Sequence, residues 1–321
     1  MTRSFPATFP PGAWAVILGG SSGFGLATAH RLAAAGMNLC LVHRDRRALL
    51  AKIEPEFEKL RGTGVRVLVH NTDALSPEKR AAVLVDLADA MGDEGRVRVL
   101  LHSIAFGHLK PLAPEPARAA GGADPREALA GRLGIDPEAL GAAADALLAE
   151  GVDALEGLAT PPAHGRRSLD AGDVAHTIHC MGTSLLDWTQ DLLARGLFAE
   201  DARVFGLTSE GNSVAWKGYA AVAAAKLALE AVARSIATEL APHGIRCNVL
   251  QPGVTETPAL EAIPGSARLK AQARRRNPFR RLTTPRDVAN VIYLLSLDEA
   301  AWINGALIRV DGGEHVSGAT W

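Results

Sequence analysis

Short, nearly continuous apolar runs recur along the chain, each followed by a longer stretch of helical periodicity. The runs cover 14–18, 38–42, 66–70, 96–102, 203–208, 246–250 and 307–310. Helical patterning covers 25–35, 46–60, 77–91, 172–195, 219–241 and 286–297. A strand that alternates apolar and polar residues faces water on one side, whereas a continuously apolar strand is covered on both. The pattern therefore predicts an α/β fold, a doubly wound Rossmann-like parallel sheet of about seven strands. Ligands in such a sheet sit outside the carboxyl ends of its strands. With 321 residues, 48% of them apolar, a single domain over 1–321 has ample material for its core.

One stretch breaks the rhythm. Residues 108–170 are rich in Ala, Gly and Pro and too long for an ordinary connection. Asp124-Pro125 and Asp136-Pro137 each precede helix-forming residues, with Asp suited to the N-cap and Pro to the first helical position. A small helical insertion after the fourth strand, beside the active-site mouth, is the expectation; a mobile surface excursion is the alternative. Residues 258–285 are expected to form a mobile segment covering the substrate.

Bulk properties exclude several classes. A formal net charge of -1 offers no basic field for nucleic acid or an anionic membrane. No apolar run approaches the roughly twenty residues needed to cross a bilayer. The proline-rich start has no apolar signal core before Trp14, so a cytoplasmic protein is expected. Three cysteines, Cys40, Cys180 and Cys247, cannot all pair within the chain and are expected as free thiols.

After the first strand comes Gly19-Gly20-Ser21-Ser22-Gly23-Phe24-Gly25, opening a helical pattern. Glycines there permit a tight turn and let backbone N–H groups meet a pyrophosphate at a helix N-terminus. At the end of the second strand, Arg44 stands where a dinucleotide site for NAD has an acid holding the ribose 2′-hydroxyl. A guanidinium suits a 2′-phosphate, so NADP(H) is expected, with NAD(H) the alternative if Arg44 is only a solvated charge beside Asp45. Tyr219 and Lys226 are seven residues apart, almost two helical turns, which puts both side chains on one face.

Together these motifs resemble the short-chain dehydrogenase/reductase family over 14–107 and 172–313. Asp73-Ala74 matches the family's adenine-contacting acid and its neighbour, and Ser103-Ile104-Ala105 lies where the family has Asn-Asn-Ala-Gly. The segment Pro252-Gly253-Val254-Thr255-Glu256-Thr257 resembles the family's nicotinamide-facing Pro-Gly-x-x-x-Thr. The resemblance implies that Lys226 binds the nicotinamide ribose and that its charge lowers the Tyr219 pKa from about 10. Ordinary members carry Tyr-x-x-x-Lys, which requires tyrosine at 222, where this chain has Val222. The wider spacing, and Leu101-His102-Ser103-Ile104-Ala105-Phe106, resemble enoyl-acyl-carrier-protein reductases.

Ser209, seventeen residues before Lys226, matches the family's catalytic serine, with a plain strand-end serine the alternative. His179 falls where ordinary members carry a helical asparagine. His176 and His179 have helical spacing for a metal, but no third ligand is visible and no metal is expected. NADPH-dependent reduction of an enoyl thioester, in fatty-acid synthesis, is the leading expectation. A carbonyl reductase or alcohol dehydrogenase, and a catalytically silent dinucleotide-binding protein, are the alternatives. Arg274-Arg275-Arg276 and Arg280-Arg281 are read either as a docking patch for an acidic acyl-carrier protein or as an exposed charge run. The resemblance also implies a homotetramer.

Overall fold

The structure, a computed structural model, describes residues 8–114, 124–161 and 167–318. The chain's first seven residues, and 115–123 and 162–166 of the expected insertion, lie outside the described residues.

Seven parallel strands form one sheet: β1 (Ala13–Leu18), β2 (Asn38–His43), β3 (Val67–Asn71), β4 (Arg96–His102), β5 (Phe198–Leu207), β6 (Ile245–Pro252) and β7 (Leu307–Val310). Their order is β3-β2-β1-β4-β5-β6-β7, so the winding reverses between β1 and β4. The helices begin with α1 (Gly23–Ala33), α2 (Arg47–Arg61), α3 (Pro77–Met91), α4 (Pro125–Leu133) and α5 (Pro137–Ala149). They continue with α6 (Ala171–Ile178), α7 (Ser184–Ala194), α8 (Ala220–Glu239), α9 (Pro258–Glu261), α10 (Ser266–Arg276) and α11 (Pro285–Leu295).

Every residue of β1 is buried, and the two-residue period of a strand sends alternate side chains to opposite cores. Trp14, Val16 and Leu18 pack with Leu84, Trp188 and Leu229 from α3, α7 and α8. Ala15 and Ile17 pack with Leu32, Phe57 and Ile292 from α1, α2 and α11. This double covering is why the strands read as continuous apolar runs. All three cysteines are buried and free. No helix among the described residues is long and apolar enough to cross a membrane.

The sequence predicts one helix over 172–195, whereas the structure divides it. A π-helical turn over His179–Thr183 separates α6 from α7. There Gly182 lies against α8 so closely that a Cβ would stand 2.7 Å from the Ala225 carbonyl oxygen. Beneath the widened turn, Ser184 donates to the Cys180 carbonyl at 3.1 Å and bonds His102 Nε2 at 2.8 Å. Such a turn is invisible to a periodicity reading, which carries only the 3.6-residue average.

In the expected insertion, Asp124 and Asp136 cap α4 and α5, accepting from Arg126 N at 2.9 Å and Ala139 N at 3.2 Å. A 3-10 turn, Asp153–Leu158, follows. The stretch leaves and rejoins the sheet at a narrow neck, where Leu169 N donates to the Pro111 carbonyl at 2.8 Å. The covering segment contains α9 and α10. Ala271 of α10 packs with Leu148 and Ala159 in a small apolar cluster.

Candidate active site

The glycine turn is dictated by close approach. Gly19 has φ +84°, and a Cβ there would meet the Ser103 carbonyl oxygen at 2.5 Å. A Cβ at Gly25 would stand 2.1 Å from the Gly19 carbonyl oxygen. Gly23 faces Thr257, so the turn joins the ends of β1, β4 and β6 in one floor. Ser22 is the N-cap of α1 and makes no side-chain cap bond; the first turn, which begins Gly23-Phe24, contains no acid. This leaves the helix N-terminus electrostatically suited to an anion such as a pyrophosphate, with Ser21 beside it.

Arg44 extends from the end of β2 over the Phe106 ring, 5.0 Å from its centre. Among the described residues its polar contact is a long one, Nη1 to Asp73 Oδ2 at 3.5 Å. The adjacent Asp45 is already engaged. His43 Nδ1 lies 2.8 Å from its carboxylate, and Asn71 brackets its backbone with two 3.0 Å bonds. Ala74 accepts from Trp188 Nε1 at 2.9 Å, tying the segment after β3 to α7.

A cavity of about 460 Å³ opens beyond the strand ends, within the usual size for small-molecule sites. It brings Ser103, Ile104, Ala105, Pro252, Gly253, Val254, Thr257 and Phe24 together with Ser209, Tyr219 and Lys226. Arg44, Asp73, Ala74 and the remainder of the glycine turn lie outside its walls.

Tyr219 is the N-cap of α8, one residue before the helix proper. Its Oη is 3.2 Å from Ser209 Oγ, and Trp216 meets its ring edge-on at 5.4 Å. Lys226 is buried and donates from Nζ to the Leu207 carbonyl at 2.8 Å. Val222, on the same face of α8, contributes an apolar wall.

The electrostatics differ from the expected lysine effect. Burial raises the Tyr219 pKa, and the hydrogen bond with Ser209 is what draws it back; Lys226 is not a cause. Tyr219 is therefore a protonated donor at neutral pH. Burial lowers Lys226 itself to about 8, opposed by the Glu230 carboxylate. His102 is neutral, its pKa lowered to about 3 by burial and by the Lys226 charge.

Other expectations are revised. His179 pairs with Asp187 at 3.0 Å and does not line the cavity. His176 lies 3.4 Å from Cys180 Sγ. Four of the arginines read either as a carrier-docking patch or as an exposed charge run form ion pairs within the chain. Arg274 pairs with Asp153, Arg275 with Glu156, Arg276 with Glu210 and Glu314, and Arg281 with Asp287. Carboxylates 38 to 121 residues away supply the partners of Arg274, Arg275 and Arg276, and no local pattern announces such contacts. Glu210, Glu314 and Trp216, all unanticipated, line the cavity together with Arg276. Gly211 was a legible signal left unread: its Cβ would stand 2.3 Å from Tyr219 Cε1, so glycine there makes room for the phenol.

A sheet wound in this order, with a glycine cradle and a half-buried tyrosine beside a buried lysine at its strand ends, defines an oxidoreductase scaffold. A family model described as "Enoyl-(Acyl carrier protein) reductase" matches residues 136–315, and one described as "short chain dehydrogenase" matches 13–115. The chain belongs to the short-chain dehydrogenase/reductase family. Among curated relatives, Protein FixR of Bradyrhizobium diazoefficiens is 38% identical over 39% of this chain and 45% of its own length. The enoyl-[acyl-carrier-protein] reductase [NADH] FabI of Bacillus cereus is 30% identical over 39% of this chain and 49% of its own. The chain thus spans about half the length of these relatives. A solved short-chain dehydrogenase from Burkholderia cenocepacia, in complex with NADP, superposes with TM-score 0.66 at 22% identity, covering 95% of this chain and 98% of that one.

Proposed function

We propose that this protein reduces the trans-2 double bond of an enoyl thioester with NADPH, as in cytoplasmic fatty-acid synthesis. The observation that carries the reading is where the phenol enters the cavity. Tyr219 stands seven residues before Lys226, while Val222 fills the position of an ordinary member's tyrosine. Leu109, Met181, Leu260 and Ile263 give the cavity walls suited to an acyl chain.

A dinucleotide held there would supply the hydride, and the β-carbon of the substrate would receive it. Negative charge would then develop on the thioester oxygen, to which the protonated Tyr219 hydroxyl donates, and a proton taken up from water at the α-carbon would complete saturation. Ser209 orients that hydroxyl. Lys226 would hold the nicotinamide ribose, and the turn from Gly19 to Gly25 the pyrophosphate. Arg44 supports NADPH, because among the described residues its guanidinium makes a single long contact while Asp45 is already committed. Arg44→Ala is expected to lower kcat/KM for NADPH by about tenfold to a hundredfold while sparing NADH. A wild-type preference for NADH would refute that assignment.

The deciding assay is NADPH oxidation with crotonyl and longer enoyl thioesters beside β-ketoacyl thioesters. Turnover of the enoyl substrates is expected, and Tyr219→Phe is expected to reduce kcat by about 10²–10³ with dinucleotide binding retained. Turnover of the ketones alone would support the second reading, a carbonyl reductase, which the retained Ser209–Tyr219 hydrogen bond favours. Coenzyme A and acyl-carrier protein are the two proposed thioester carriers. Equal kcat/KM on both would remove carrier docking from the proposal. A homotetramer is also proposed, on the strength of Trp302, 97% exposed, and the half-exposed Leu294 and Leu307 at the β7 end. Light scattering at the mass of one chain would refute it.

A further inference from the structure

Three consecutive arginines at the end of α10 divide their contacts between two parts of the molecule. Arg274 forks onto Asp153, with Nε and Nη2 at 2.8 and 2.5 Å from its two carboxylate oxygens. Arg275 Nη1 reaches Glu156 at 3.0 Å. Both acids lie in the 3-10 turn of the insertion. One residue on, helical rotation turns Arg276 to the cavity, where it forks onto Glu210 at 2.8 and 2.5 Å and also reaches Glu314 at 2.8 Å. Glu210 directly follows Ser209. Glu314, 2% exposed, accepts from Val254 N at 3.2 Å in the loop after β6.

We propose that the insertion is a clasp that positions α10 over the cavity, and that Arg276 is the positioning residue carrying its placement to the Ser209 loop. The proposal rests on the enoyl-reductase reading only for which substrate reports it. Planar guanidinium forks fix orientation as well as distance, which a point charge does not. The apolar contact of Ala271 with Leu148 and Ala159, one turn earlier on the same face of α10, holds the same two elements together. The two ends of the clasp have separable effects. Loosening Arg274 lets α10 swing and weakens substrate capture, whereas loosening Arg276 misplaces the serine beside the reacting oxygen.

The test compares Arg274→Glu, Asp153→Arg and the exchanged pair Asp153→Arg/Arg274→Glu with Arg276→Met and Arg276→Lys. Hydrogen exchange over 258–276 and steady-state kinetics with crotonyl coenzyme A are the readouts. Arg274→Glu is expected to speed exchange in α10 and raise KM about tenfold with kcat within about twofold, and the exchanged pair to restore both. Arg276→Met is expected to lower kcat about tenfold with NADPH affinity unchanged, and Arg276→Lys, lacking the fork, not to restore it. Unchanged exchange and KM in Arg274→Glu, or no rescue by the exchanged pair, would overturn the clasp. A wild type that reduces no enoyl thioester would sink the functional reading alone, since exchange in α10 and its rescue still decide the clasp.

Discussion

Lys226 illustrates how a side chain can serve a site while burdening the fold. Its folded pKa is lowered to about 8 from 10.5, so the buried ammonium weakens the ligand-free protein fully below about pH 8. That burden is relieved as pH rises from about 8 towards 10.5, because there the unfolded chain binds the extra proton. The shift corresponds to about 3 kcal/mol, and losing the bond to the Leu207 carbonyl costs about 1 kcal/mol. Lys226→Met is therefore expected to stabilise the ligand-free protein by about 2 kcal/mol at pH 7. The gain should vanish by about pH 10, as read by urea unfolding at the two pH values. The tyrosine–lysine pair was legible because its chemistry is written in a short, fixed interval. The electrostatic relation between the two was misread, since spacing along a helix reveals the shared face but not the solvent that burial removes.

At the scale of the element, strand and helix positions were almost wholly legible, because continuous apolar runs and amphipathic stretches report burial directly. Caps were legible too: Asp124, Asp136 and their following prolines mark α4 and α5 as local chemistry dictates. The π turn and the pinning of α10 were not, since both arise from contacts with distant segments. Gly211 offers a sharp test of one such contact. Gly211→Ala places a methyl 2.3 Å from the Tyr219 ring, which must swing away. An intact circular dichroism spectrum with kcat reduced at least about tenfold is expected. Wild-type turnover would show that the ring tolerates the displacement.

For the whole molecule, the sheet and its two cores form without the insertion, whose α4 and α5 contribute no residue to either large cluster. Replacing 112–168 by a short Gly-Ser linker is expected to leave a cooperatively unfolding protein that binds dinucleotide but captures thioester poorly. Calorimetry together with KM measurement checks this, and loss of the cooperative transition would contradict it. Sequence composition marked this stretch as exceptional, yet its role stayed hidden because its acids meet their arginines only after the chain has doubled back. The neck at Pro111 and Leu169 has a broader consequence. A detour whose ends are held together by an amide-to-carbonyl contact puts little constraint on how many residues lie between them, so the stretch away from Asp153 and Glu156 can be lengthened or trimmed without moving the strands it leaves and rejoins.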